Sequence, residues 1–176
     1  CAINLAISYA VLTKKVLLID TNFRNPQIQN HLKSERKTER GLSDYLQGNI
    51  NNHTDLISSF RIGKTILDIL TTGEIPLAPA ELLSNEKLEE LINLSKGKYD
   101  YIILDTTPTS LVTDTLLISD IADITIYIAK SNFTDKKSIA FAEELITTQK
   151  LKNVSYVLNY VESDNLFKRK TLKKVK

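Results

Sequence analysis

The sequence predicts an α/β fold with a mostly parallel sheet flanked by helices. Two apolar runs that each end in a carboxylate, Val16-Leu17-Leu18-Ile19-Asp20 and Tyr101-Ile102-Ile103-Leu104-Asp105, are the first two observations behind that expectation. A run with no polar alternation fits a strand covered on both faces, and such strands belong to parallel sheets. The third observation is the alternation of strand-like and helix-like segments, which parallel crossover connections require. With 176 residues and 42% hydrophobic content, the chain is large enough for one such domain with a sizeable core.

The elements follow in order. Ala2 to Leu12 is apolar almost all round and reads as a buried helix already under way at residue 1. Thr13-Lys14-Lys15 turns into the strand Val16–Ile19. Pro26 suits the first turn of a short helix running to Leu32. Lys33 to Arg40 is a charge-dense connection. Gly41 to Gly48 is a short helix punctuated by glycines, with Ser43 as its cap. Thr65 to Leu70 is a strand ending in the turn Thr71-Thr72-Gly73. Pro79-Ala80-Glu81-Leu82-Leu83 opens a helix whose buried stripe continues through Leu88, Leu91 and Ile92, with Glu86, Lys87, Glu89 and Glu90 toward water. The remaining elements are the strand Tyr99–Leu104, a helix around Thr113–Ser119, the strand Ile124–Ala129, a helix from Asp135 to Thr148 and the strand Val154–Asn159. Leu166 to Lys176, with six basic residues, reads as a fraying basic tail. The domain therefore spans 1–160 and the tail 161–176.

Composition narrows the function. A net charge of +2 without a long basic stripe argues against nucleic acid as a partner. The single cysteine, Cys1, excludes an internal disulfide and points weakly to a reducing compartment. His31 and His53 lack ligand spacing and read as surface residues. No apolar run is long enough to span a bilayer, and no signal peptide is visible. The chain contains no methionine and reads as a fragment of a longer protein.

A strand that stops at an Asp places its carboxylate at the C-terminal edge of a sheet, where open α/β folds bind ligands. Magnesium takes carboxylate, hydroxyl and phosphate oxygens and keeps several waters. Asp105, followed by Thr106, fits the Walker B position beside a nucleotide's phosphates; the alternative is a carboxylate capping the next loop. Asp20 is an acceptor that could take a proton from an attacking hydroxyl or orient a water. Arg24 could pair with phosphate or a neighbouring subunit, or form a surface ion pair. Asn159, at the end of the last strand, offers the donor and acceptor that read adenine, or is a turn residue. Gly63-Lys64-Thr65 is not a phosphate loop. Position 58 is Ser58 where that motif needs glycine, and a strand follows where it needs a helix.

In order, these pieces resemble the bacterial tyrosine kinase family, the cytoplasmic ATPase-fold domain of proteins that control capsule and exopolysaccharide assembly. Asn4-Leu5-Ala6 resembles the helix after the family's Walker A loop. Asp20-Thr21-Asn22-Phe23-Arg24 resembles its second Walker motif, Asp-x-Asp-x-Arg. Gly41 to Leu46, Pro79 to Leu83, Tyr99 to Thr106 and Val112-Thr113-Asp114 are similar to further family segments. The resemblance implies a three-layer P-loop NTPase-like fold and phosphoryl transfer from ATP and magnesium to tyrosines of a neighbouring subunit. It also implies a homo-oligomer, and a membrane-bound polysaccharide co-polymerase half that keeps the domain at the cytoplasmic face of the membrane. On it Asp20 assists the tyrosine hydroxyl, Asp105 holds magnesium, Asn22 and Asn159 lie on the nucleotide, and Arg24 travels with the catalytic motif.

The sequence departs from that pattern in three ways. The Walker A loop would lie just before Cys1, outside this sequence. Asn22 stands where the motif has its second acid, which weakens the metal site. No tyrosine follows Tyr160, whereas the family ends in a tyrosine-rich tail. These departures keep two further readings in play: a nucleotide-sensing scaffold of the export machinery, and a partitioning-type ATPase of the same superfamily.

Overall fold

The computed structural model describes residues 1–31, 40–108 and 114–161. They fall into two units, Cys1–Ile118 and Ser119–Lys176. The segment from Leu32 to Glu39, most of the predicted charged connection, lies outside the described residues, as do Val112, Thr113 and the basic tail.

In the first unit, helix α1 (Ala2–Val11) turns through Thr13, at φ 63°, into strand β1 (Val16–Asp20). All five residues of β1 are buried, as the unbroken apolar run requires. The sheet order is β2 (Ser58–Ile62), β3 (Thr65–Leu70), β1, β4 (Tyr101–Asp105). β1 is parallel to both β3 and β4, and β2 is antiparallel to β3. Ala6 and Ala10 of α1 pack with Val16, Leu18, Leu67 and Ile69 in a core that also takes Ile28. The small alanines let the helix sit close to the sheet. Only this face of α1 is fully buried: Val11 and Leu12 are exposed, against the expectation of a helix buried all round.

β2 is not foreseen by the sequence, since Ser58-Ser59-Phe60-Arg61-Ile62 has weak strand character. It forms a hairpin with β3 in which Ile62 faces Thr65, and Gly63 and Lys64 make the two-residue turn. Gly63 adopts φ 62°, which glycine alone takes at no steric cost. That confirms Gly63-Lys64-Thr65 as a turn.

Helix α2 is described over Ile28–His31 and starts two residues after Pro26; Leu32, its predicted end, lies outside the described residues. Helix α3 (Leu42–Gln47) is capped by Gly41 and not by Ser43: the Gly41 N–H donates to the Asp44 carboxylate at 2.8 Å, and Ser43 is buried. The predicted long helix breaks at Ser84-Asn85 into α4 (Pro79–Leu83) and α5 (Glu86–Lys96), because the Asn85 side chain caps α5 through the Lys87 N–H. Leu88, Leu91 and Ile92 are buried as expected. His53 is not a surface residue: it is 7% exposed and meets the Tyr45 ring edge-on. Burial, with Lys98 nearby, lowers its pKa. The His31 side chain is outside the described residues.

Helix α6 (Asp114–Leu117) closes the first unit. In the second, a single turn at Ser119–Ile121 leads to β5 (Thr125–Lys130), helix α7 (Lys136–Thr147) and β6 (Val154–Asn159), with β5 and β6 parallel. The expected parallel strands are thus present as a four-stranded and a two-stranded sheet. Asp135 caps α7 by accepting the Ser138 N–H. Among the described residues no helix is long and apolar enough to cross a membrane.

The loop after β3 is locked to the start of α3. The Leu42 and Ser43 N–H groups donate to the Thr71 and Thr72 carbonyls, each at 2.9 Å. The two backbones approach so closely that a Cβ on Gly41 would lie 2.3 Å from the Gly73 nitrogen, and Gly73 itself sits at φ 73°. Gly41→Ala is therefore expected to cost about 1–3 kcal/mol in urea unfolding. Gly97→Ala, which meets nothing within 4 Å, should change stability by less than about 0.5 kcal/mol.

Candidate functional site

β1 and β4 pair in register from Val16↔Tyr101 to Asp20↔Asp105. Residues opposite each other on parallel strands project from the same face, so the two strand-terminal carboxylates stand on one face of neighbouring strands, whose backbones run about 5 Å apart. They share the face of Leu18 and Ile103, which is the face α1 covers. α1 joins β1 by a short turn and runs back along the sheet. Ten helical residues rise about 15 Å and five strand residues about 16 Å, so the N-terminus of α1 returns to the edge that carries Asp20 and Asp105.

Asp20 is fully buried. Its Oδ1 accepts the Asn22 N–H at 3.1 Å, and its Oδ2 is buried with no hydrogen-bond partner among the described residues within bonding geometry, although the Ile28 N–H lies near enough to favour the charged form. Burial raises the carboxyl to about 7; the Asn22 N–H opposes the rise and the Asp105 charge adds to it. A group poised there can hold or release a proton at neutral pH.

The loops after β1 and β4 are stitched together. Thr21 donates both its N–H, at 3.0 Å, and its hydroxyl, at 2.8 Å, to the Asp105 carbonyl. The Thr107 hydroxyl donates to Asn22 Oδ1 at 2.9 Å, and the Asn25 N–H donates to the same oxygen at 3.2 Å. The Thr115 hydroxyl donates to the Thr107 carbonyl. Arg24 grips Asp114 with two bonds, Nε to Oδ2 at 2.6 Å and Nη2 to Oδ1 at 3.0 Å. This pairing pushes the guanidinium pKa up further. The Asp114 side chain is 4% exposed and that of Arg24 is 44%. Phe23, between these anchors, is buried.

Asp20, Asn22, Arg24 and Asp105 are thus brought together at one sheet edge of the first unit. Asn159 ends β6 in the second unit, where its carbonyl accepts the Ser131 N–H and its side-chain oxygen accepts the Tyr160 N–H. Thr21, Thr107 and Asp114 join the site without having been singled out by the sequence. Asp114 was visible only as part of a family-like segment, and its partner is 90 positions away. The donor set fits magnesium: hard oxygens, two carboxylates, and one buried oxygen with no protein partner. Among the described residues no three His, Cys, Asp or Glu side chains cluster. Magnesium, which keeps waters and takes phosphate oxygens, needs no such all-protein cage.

The family described as "AAA domain" matches residues 1–157. Among curated proteins, the tyrosine-protein kinase YwqD of Bacillus subtilis is 34% identical over 158 residues, which is 90% of this chain and 65% of that protein. A tyrosine-protein kinase CpsD of Streptococcus agalactiae is 30% identical over 158 residues, 90% of this chain and 67% of its own length. Among solved structures, the kinase domain of the Escherichia coli tyrosine kinase ETK superposes with a TM-score of 0.80 at 27% identity, covering 88% of this chain and 59% of that one. The chain spans about two thirds of the length of YwqD.

The raised Asp20 pKa carries a stability consequence. An unfolded Asp ionises near 3.8, whereas the buried one holds its proton to about 7. Between those values the folded state binds more protons, so this residue's contribution to stability falls as pH rises from about 4 to 7 and stays lost above 7. Asp20→Asn removes that loss. Thermal and urea unfolding should show the variant more stable than the parent by roughly 1–3 kcal/mol at pH 8 and indistinguishable from it at pH 4.

Proposed function

The chain belongs to the AAA-domain family, among the bacterial tyrosine-protein kinases, and from that premise we propose that it is an ATP-dependent protein-tyrosine kinase domain acting in capsule or exopolysaccharide assembly. The observation that carries the reading is the in-register pair Asp20 and Asp105 on the face to which the N-terminus of α1 returns. A helix N-terminus presents unpaired N–H groups to phosphate, and carboxylates beside it hold the accompanying cation.

On this reading a tyrosine Oη from a neighbouring copy bonds to the γ-phosphorus of ATP. The bond from that phosphorus to the bridging oxygen breaks, ADP leaves with its electron pair, and the hydroxyl proton passes to Asp20. The unpartnered Oδ2 and the carboxyl's affinity for a proton near pH 7 suit Asp20 to that transfer. Magnesium, when bound, neutralises phosphate charge, and Asp105 is the residue to hold it. The domain works as a homo-oligomer at the cytoplasmic face of the membrane beside a membrane-bound polysaccharide co-polymerase.

A second reading, a nucleotide-sensing scaffold without kinase activity, is favoured by Asn22. Its oxygen accepts two hydrogen bonds just as a carboxylate would, yet brings no negative charge to the metal. The two readings separate experimentally. In the full-length protein, calorimetry should detect ATP binding that depends on magnesium; its absence overturns both. Asn22→Asp keeps both hydrogen bonds and adds a charge, so it should tighten magnesium binding by about tenfold and raise tyrosine phosphorylation. ATP binding without phosphorylation in that variant favours the scaffold.

A further inference from the structure

We propose that Asp114 and Thr107 are positioning residues of this site: they fasten the strap Thr21–Asn25, which carries the acidic motif, to the loop after β4. The inference rests on the nucleotide-binding reading above. It assigns roles to two residues that touch neither phosphate nor metal. It also changes the role of Arg24, which acts through Asp114 and not on the nucleotide.

The geometry gives the strap two anchors. At one, the Thr107 hydroxyl donates to Asn22 Oδ1, and Thr107 is itself held by the Thr115 hydroxyl on its carbonyl. At the other, both oxygens of Asp114 accept from the planar fork of Arg24. A bidentate pair fixes direction as well as distance, which a single contact cannot. The Asp114 carboxylate is nearly inaccessible, so Arg24 is its counter-charge within the fold, and withdrawing that arginine toward a phosphate strands a buried anion. Between the anchors Phe23 is buried, so the strap cannot slide without exposing an aromatic ring. Asp20 lies immediately before this strap and accepts the Asn22 N–H. Movement at Asn22 therefore reaches the buried carboxylate through one hydrogen bond.

The test is a double-mutant cycle in the full-length protein, with Arg24→Ala, Asp114→Ala and both together. The readouts are the magnesium dependence of ATP binding by calorimetry and the melting temperature of each variant without ligand. The clamp predicts that Asp114→Ala alone weakens magnesium-dependent binding by roughly ten- to a hundredfold, and that the double variant binds no worse than Arg24→Ala. An arginine acting directly on phosphate gives the opposite pattern: Asp114→Ala binds as well as the parent or better, and only Arg24→Ala loses affinity. That pattern overturns the proposal. Thr107→Val keeps the shape and removes the hydroxyl, so it tests the other anchor if an Asp114 variant fails to fold. It should weaken magnesium-dependent binding about three- to tenfold with an unaltered melting temperature, and unchanged affinity overturns the proposal. A parent protein that binds no ATP overturns the nucleotide reading itself, a result distinct from a parent that binds and variants that bind equally well.

Discussion

The register between β1 and β4 is the constraint on which the site depends. Shifting either strand by one residue would turn one carboxylate to the opposite face of the sheet, since side chains alternate along a strand. That register is fixed by the apolar content of both runs and continued past their ends. Thr21 donates two hydrogen bonds to the Asp105 carbonyl, so the pairing extends one step into the loop. Two carboxyl groups are thereby placed opposite one another on adjacent strands, one of them fully buried, and burial together with the Asp105 charge opposes its ionisation.

The surroundings of Asp20 show how that opposition is contained. Only one of its oxygens is satisfied by the protein. The neighbouring charges are dealt with separately: Arg24 neutralises Asp114, and Asn22 brings none. The result is a carboxyl that the fold keeps protonated up to about neutral pH and that a cation would ionise. A fold that loses stability toward alkaline pH is thus the direct consequence of one buried group.

Much of this was legible in the sequence. β1 and β4 are unbroken apolar runs ending in Asp, and such runs have few alternatives to a parallel strand; β1 is buried throughout, whereas β4, expected to be covered on both faces, is only half-buried with Tyr101 exposed. β3 and β6 matched their predicted bounds, and α7 did so within a residue at each end. What sequence reading missed depends on partners far along the chain. β2 is a strand only because β3 pairs with it, its own residues alternating between half-buried and exposed. His53 is buried because Tyr45 lies beside it, not because its neighbours in sequence are apolar. The Gly41 cap is chosen by its contact with Gly73, which leaves no room for a side chain. Asp114 gained its meaning from an arginine 90 residues earlier.

Asn22 marks where shape and chemistry part. An amide oxygen and a carboxylate oxygen accept the same two hydrogen bonds, from the Thr107 hydroxyl and the Asn25 N–H, so the loop keeps one conformation with either residue. Backbone superposition on kinase domains therefore cannot register the substitution. A divalent cation can, because its affinity follows the charge of its surroundings and not only their geometry. The shape of the strap and the charge beside Asp20 and Asp105 are separately specified here: the strap is built by hydrogen bonds that an Asp or an Asn oxygen can accept alike, so the residue at position 22 sets the local charge without setting those bonds.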